Sequence, residues 1–200
     1  VFVITFFILS VIFIPFFPII GLILFILTLF IVHFFRDPNR VIPMEEFIVS
    51  PADGVITYIG ESQPPNETNI NEKFIKISIF LNIFNVHVNR VPNYGTVKNI
   101  IYVPGKFLNA TLDKSSDENE RNYIKLISSN GDELVLVQIA GLIARRIVCD
   151  VKENFEAKQG DRFGIIRFGS RVDLYFNNYK VLVKKNQKMV SGETIIAVKN

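Results

Sequence analysis

Residues 1–35 are apolar almost without interruption and contain no Lys, Arg, Asp or Glu. A stretch of about 20 such residues is enough to cross the hydrocarbon core of a bilayer. Pro15 and Pro18 interrupt it, and proline breaks or kinks a helix because it lacks an N–H and crowds the preceding turn. Two arrangements are open: one kinked or tilted span over about residues 14–35, or a helical hairpin turning at residues 15–18. Ten of the 19 Phe lie in this segment, which suits contact with lipid better than a small soluble core. A cleaved signal peptide fits poorly, since the apolar run is too long and has no basic region before it.

From residue 47 the pattern becomes short runs rich in Val, Ile, Phe and Tyr. Strands are expected over residues 55–59, 74–80, 84–91, 96–103, 123–127, 133–139, 146–151, 162–168, 172–176 and 194–198. Turn chemistry separates them: Asp53-Gly54, Asn93-Tyr94-Gly95, Asn130-Gly131-Asp132, Gln159-Gly160-Asp161 and Ser191-Gly192-Glu193. Residues 62–71 and 113–122 are polar and read as loops. Residues 151–165 and 183–198 each read as strand, Lys-rich turn with glycine, strand, a weak sign of a barrel-sandwich. The expected fold is mainly β, a barrel-sandwich-like hairpin domain over residues 36–200, behind an apolar helical membrane anchor over residues 1–35.

Composition narrows the chemistry. The net charge of +3 is too small to argue for nucleic acid, and beside an apolar segment it suits anionic lipid headgroups better. Arg36 and Arg40 directly after that segment place the domain on the cytoplasmic side of the cell membrane. Cys149 is the sole cysteine, and His33 and His87 are the sole histidines. A zinc site needs several His or Cys ligands, so no metal is expected, and a zinc peptidase is disfavoured.

Three residues could carry a reaction. His87 lies in Asn85-Val86-His87-Val88-Asn89-Arg90, on a strand-like run that turns from apolar to polar; one histidine can act as a general base if an acid orients it. Asp53 is the candidate acid, although Asp-Gly is also a common hairpin turn. Ser170 is the candidate nucleophile, although Gly169-Ser170 alone reads as a turn or bulge. Local sequence does not say whether the three meet.

The chain resembles the phosphatidylserine decarboxylase proenzymes, in the short form of bacteria and archaea. The matching segments are the apolar N-terminus, Phe34-Phe35-Arg36-Asp37-Pro38, Ser50-Pro51-Ala52-Asp53-Gly54, Asn85-Val86-His87-Val88-Asn89-Arg90, Pro104-Gly105-Lys106-Phe107, Asn119-Glu120-Arg121, Gln138-Ile139-Ala140-Gly141 with Arg145-Arg146, and Phe168-Gly169-Ser170. Longer members carry Leu-Gly-Ser-Thr at the last position, where this chain has Phe168-Gly169-Ser170-Arg171.

The resemblance implies that the chain cuts itself between Gly169 and Ser170. His87, oriented by Asp53, would deprotonate Ser170, and Ser170 would become a covalent pyruvoyl group. That group would form a Schiff base with phosphatidylserine in the membrane and release CO2, giving phosphatidylethanolamine without pyridoxal phosphate or metal. His87 would also return a proton to the product. The two chains would remain together as a heterodimer. Arg90, Lys106, Arg145 and Arg146 are candidates for the lipid phosphate. The competing reading is a membrane-tethered binding or adaptor domain without catalysis.

Overall fold

The computed structural model describes residues 2–106, 118–141, 146–166 and 169–200. The chain divides into two compact units, residues 1–38 and 39–200.

The first unit is a helical hairpin, α1 (Phe2–Phe13) and α2 (Pro18–Phe34). Proline sets the break: Pro18 opens α2 where a helix has no use for the missing N–H. The turn comes close to α2 at Gly21, where a Cβ would sit 2.6 Å from the Ile14 backbone nitrogen. The two buried hydroxyls turn back on their own helix, Ser10 Oγ to the Phe7 carbonyl at 2.6 Å and Thr28 Oγ1 to the Leu24 carbonyl at 2.8 Å. Outward-facing Phe2, Phe16 and Ile19 are each at least 70% exposed. The single span over residues 14–35 is not what forms, because α2 begins only at Pro18. Its 17 residues reach about 25 Å, short of a hydrocarbon core of about 30 Å. Among the described residues, no helix is long and apolar enough to cross a membrane.

The second unit is mainly β, as expected. In chain order its strands are β1 (Ile48–Val49), β2 (Gly54–Ser62), β3 (Phe74–Leu81), β4 (Val88–Arg90), β5 (Gly95–Val103), β6 (Arg121–Ser128) and β7 (Glu133–Ile139). They continue as β8 (Ile147–Cys149), β9 (Glu156–Ala157), β10 (Arg162–Ile166), β11 (Ser170–Phe176), β12 (Tyr179–Val181), β13 (Lys188–Met189) and β14 (Ile195–Lys199). The largest sheet has the order β13-β2-β3-β11-β7-β6-β5-β9, and two three-stranded sheets have the orders β4-β10-β8 and β1-β14-β12.

Alternation along the strands builds two cores. Ile77, Ile79, Leu126, Leu134, Leu136, Val172 and Leu174 face one way, and Phe163 and Ile166 of β10 and Ile196 of β14 join them in the main core. Phe74, Tyr123, Val135, Val137, Ile139 and Tyr175 face the other way in a smaller cluster. Strands β7 and β11 are therefore buried on both faces, which explains why their apolar runs are nearly continuous.

Several expectations are corrected. The strand expected over residues 84–91 shrinks to β4, and His87 lies just before it rather than on it. Residues 121 and 122 belong to β6, not to a loop; residues 113–117 of that expected loop lie outside the described residues. The two Lys-rich hairpins do not form, because their strands go to different sheets: β9 pairs with β5 and β10 with β4 and β8, while β13 pairs with β2 and β14 with β1 and β12. Strands β1, β9, β12 and β13 were not foreseen, since two or three residues are too few to show a period.

Asp132, in the β6–β7 turn, fastens the end of the chain. Its carboxylate accepts hydrogen bonds from Asn178 Nδ2 at 3.2 Å, Tyr179 OH at 3.1 Å and Lys199 Nζ at 2.8 Å. Burial opposes its charge, but the Lys199, Asn178 and Tyr179 donors together outweigh it and hold the carboxyl below its ordinary pKa. Burial, and then the Asp132 charge, push the Tyr179 phenol up to about 12. The folded chain keeps the Tyr179 proton after the unfolded chain has lost its own, so stability falls between pH 10.0 and about 12. It also falls in acid, as Asp132 protonates. Urea unfolding followed from acid to alkaline pH should show both losses, and Tyr179→Phe should lessen the alkaline one; an unchanged alkaline slope in the variant would contradict this assignment.

Candidate active site

Two chain segments connect the large sheet with the β4-β10-β8 sheet. One leaves β3 at Leu81 and enters β4 at Val88; the other leaves β10 at Ile166 and enters β11 at Ser170. Their described ends are tied: Ser170 pairs with Leu81, and the Ile166 N–H donates to the His87 carbonyl at 3.4 Å. His87 and Ser170 are both 0% exposed.

Backbone geometry marks the Gly169-Ser170 junction. Gly169 has φ +59, a left-handed conformation that side chains other than glycine's adopt at a cost. Ser170 opens β11 on the side of Val172 and Leu174, and among the described residues its Oγ has no hydrogen-bond partner. A buried hydroxyl left in that state costs about 1–3 kcal/mol, so its retention in the core calls for a reason other than stability.

His87 Nδ1 lies 2.9 Å from the Asn85 carbonyl oxygen. A carbonyl can only accept, so this contact puts the proton on Nδ1 and leaves Nε2 with the lone pair. The imidazole is therefore set as a base through Nε2.

Asp53 lies in the loop between β1 and β2. Its carboxylate accepts Arg40 Nη2 at 2.9 and 3.0 Å and the Ser191 N–H at 2.8 Å. The same loop reaches β4 through the Pro51 carbonyl, which accepts the Arg90 N–H at 2.9 Å. Gly54 meets β3 closely, since a Cβ there would lie 2.2 Å from the Phe80 carbonyl oxygen. Asp53 thus holds a loop that is hydrogen-bonded to β4, the strand after His87, and the Asn85 carbonyl lies at His87 Nδ1.

A row of buried amides joins β6, β7 and β4. Asn122 Nδ2 donates to Gln138 Oε1 at 3.0 Å, and Gln138 Nε2 donates to Asn89 Oδ1 at 2.9 Å. The three residues are 2% exposed or less. Gln138 pairs with Val172, which places it diagonally beside Ser170 on the same face, at a spacing of roughly 7–8 Å. None of this row was singled out in the sequence as a chemical group, although Asn89 and Gln138 fall inside quoted motifs; amides at core positions of strands were the available signal.

The chain matches the family model described as phosphatidylserine decarboxylase over residues 27–197. The chain belongs to the phosphatidylserine decarboxylase family. It is 52% identical over 181 residues to the phosphatidylserine decarboxylase proenzyme of Pelagibacter ubique, covering 90% of this chain and 84% of that one. It is likewise 52% identical over 180 residues to the proenzymes of Rickettsia typhi and Rickettsia prowazekii, covering 88% of this chain and 78% of each relative.

Three of the four candidate phosphate ligands of this family member lie among the described residues. Arg90 is buried and donates to the Gly160 carbonyl at 3.0 Å, a structural use. Lys106 is exposed and paired with Glu118, Arg146 is exposed, and Arg145 lies outside the described residues. An open cleft of about 600 Å³, lined in part by Lys76, Ser78, Arg171, Asp173 and Tyr175, lies on the sheet face opposite the Ser170 side chain. There Asp173, 1% exposed, sits 3.1 Å from Lys76 Nζ and 2.9 Å from Arg171 Nε. This ion cluster fixes the residue that follows Ser170.

The Arg40–Asp53 pair is nearly buried, with 9% and 14% of the side chains exposed. Removing one partner of such a pair leaves the other charge poorly compensated. Arg40→Ala should cost about 3 kcal/mol in urea unfolding; a loss below about 0.5 kcal/mol, the range of ordinary surface substitutions, would mean that the loop is held without this pair.

Proposed function

We infer that the chain is a self-processing, pyruvoyl-dependent phosphatidylserine decarboxylase, converting phosphatidylserine to phosphatidylethanolamine and CO2. The observation that carries this, within the family, is the Gly169-Ser170 junction. A left-handed glycine is followed by a buried serine with an unsatisfied hydroxyl among the described residues, and the segment that runs on from its strand partner Leu81 carries the buried His87. A binding or adaptor domain would have no use for such an arrangement in its interior.

Processing follows from these residues. His87 Nε2 takes the Ser170 hydroxyl proton, and Oγ bonds to the Gly169 carbonyl carbon. Collapse breaks the peptide C–N bond and returns the proton to nitrogen, leaving an ester. Loss of the residue 170 α-proton then breaks the ester bond and frees the Gly169 carboxylate. Water releases ammonia from what remains, so residue 170 itself becomes the pyruvoyl group that caps the Arg171 nitrogen. Asp53 supports this as a positioning residue, holding the loop against β3 and β4.

The site suits a pyruvoyl group, since residue 170 is buried at the head of a strand fastened on both sides. The group supplies a ketone that condenses with the serine amine of the lipid and accepts the electrons released with CO2. His87 is placed to deliver the proton that replaces the carboxylate. Cleavage leaves the products joined, because β11 of the smaller chain lies between β3 and β7 of the larger. The two are the subunits of a heterodimer.

The apolar helical hairpin, free of charged side chains between residues 1 and 35, keeps the enzyme at the cell membrane by lying in the bilayer rather than spanning it with one helix. Arg36 next to it favours the cytoplasmic face.

Purified protein mixed with phosphatidylserine vesicles should release CO2, and borohydride added during turnover should inactivate it irreversibly. Ser170→Ala should abolish CO2 release, and His87→Ala should reduce it by roughly 10²-fold or more. CO2 release by Ser170→Ala at the wild-type rate would overturn the assignment of the pyruvoyl precursor.

A further inference from the structure

Asn89 is 0% exposed. Its side-chain oxygen is occupied by Gln138 Nε2, whose own amide is occupied by Asn122. This order leaves the Asn89 amide nitrogen pointing away from Gln138 as a donor. Among the described residues that nitrogen has no hydrogen-bond partner.

The fold makes room for this. Asn89 pairs with Gly164 of β10, and a Cβ at Gly164 would lie 3.1 Å from Gln138 Nε2 and 2.2 Å from the Val148 carbonyl oxygen. A side chain at residue 164 would displace the row. Asn89 follows His87 by two residues, and its partner Gln138 is the diagonal neighbour of Ser170. The spare donor thus lies two residues from the candidate base and is hydrogen-bonded to the residue diagonal to the candidate nucleophile, and all of these residues are buried. A carboxamide N–H₂ kept unsatisfied in a core costs about 1–3 kcal/mol, unless something arrives there to accept from it.

We propose that Asn89 is a catalytic residue of processing, its Nδ2 donating to the oxyanion that forms at the Gly169 carbonyl. This rests on the assignment of the Gly169–Ser170 bond as the one that breaks. When Oγ bonds to the Gly169 carbon, the carbonyl π pair moves onto oxygen, and the Ser170 proton moves to His87. The negative charge then stands in a region of low dielectric, where one fixed N–H donor is worth far more than in water. Collapse restores the carbonyl as an ester and gives the proton to the leaving nitrogen, so Asn89 is unchanged at the end.

Asn89→Asp tests this most closely. It keeps the oxygen that accepts from Gln138 and replaces the donor with a second oxygen. Chain splitting, followed by denaturing mass measurement, should slow by roughly 10²–10³-fold, as for loss of one oxyanion donor. Hydroxylamine, which cleaves esters, should not split the stalled chain, because the block precedes the ester. Asn89→Ala, compared in its melting temperature with Ser170→Ala, serves if the aspartate variant does not fold, and should stall in the same way while still melting cooperatively. Splitting within about 3-fold of wild type by a folded variant overturns the proposal, as does a stalled variant that hydroxylamine cuts after Gly169, which would place Asn89 after ester formation. If the wild-type chain itself never splits between Gly169 and Ser170, the processing assignment and this role both fall; a wild type that splits beside an unaffected variant removes the Asn89 role alone.

Discussion

Everything in the second unit depends on the pairing of β11 in the middle of the large sheet. It is hydrogen-bonded to β3 over residues 170–176 and to β7 over residues 171–176, with both faces buried. A cut immediately before such a strand would remove no core. The end it would make is held by its neighbours, by the Arg171–Asp173–Lys76 cluster on one face, and further along by Asp132 gripping Tyr179 and Lys199. A terminus is normally where a fold frays; this one is placed where opening would disrupt the whole sheet.

The second constraint is the cost of polar groups in the core. His87, Asn89, Asn122, Gln138 and Ser170 all lie below 3% exposure, in a layer otherwise filled by Ile, Leu, Val and Phe. Hydrogen bonding offsets part of that cost through the amide row and the Asn85 carbonyl. The Ser170 hydroxyl and the Asn89 amide nitrogen have no such return among the described residues. Sites of this kind give up stability for reactivity, and the two unpaired groups lie on β4 and on β11.

Much of the β pattern was legible because short runs rich in Val, Ile, Leu and aromatic residues, such as residues 133–139 and 172–176, are bounded by turn residues. The very short strands were not, since Ile48–Val49 or Lys188–Met189 cannot show a period and exist only through their partners. The apolar N-terminus was legible as apolar and helix-breaking at Pro15 and Pro18, and the turn there resolves the choice in favour of a hairpin. His87, Asp53 and Ser170 could be picked out only through motifs, because a lone histidine, an Asp-Gly and a Gly-Ser are each ordinary turn or core material. What the sequence could not show was how they are held: Asn85 at His87 Nδ1, Arg40 and Ser191 on Asp53, and the amide row beside Ser170 all join residues distant in sequence or depend on a turn of the backbone.

The most direct measurement is the intact mass of the wild-type protein under denaturing conditions. Self-processing at the buried junction predicts two polypeptides, residues 1–169 and 170–200, the smaller lacking a free N-terminal amine and carrying the mass of a pyruvoyl group in place of serine. Both should copurify before denaturation. A single stable chain of 200 residues, or a cut at any other bond, would contradict the assignment of Gly169 and Ser170.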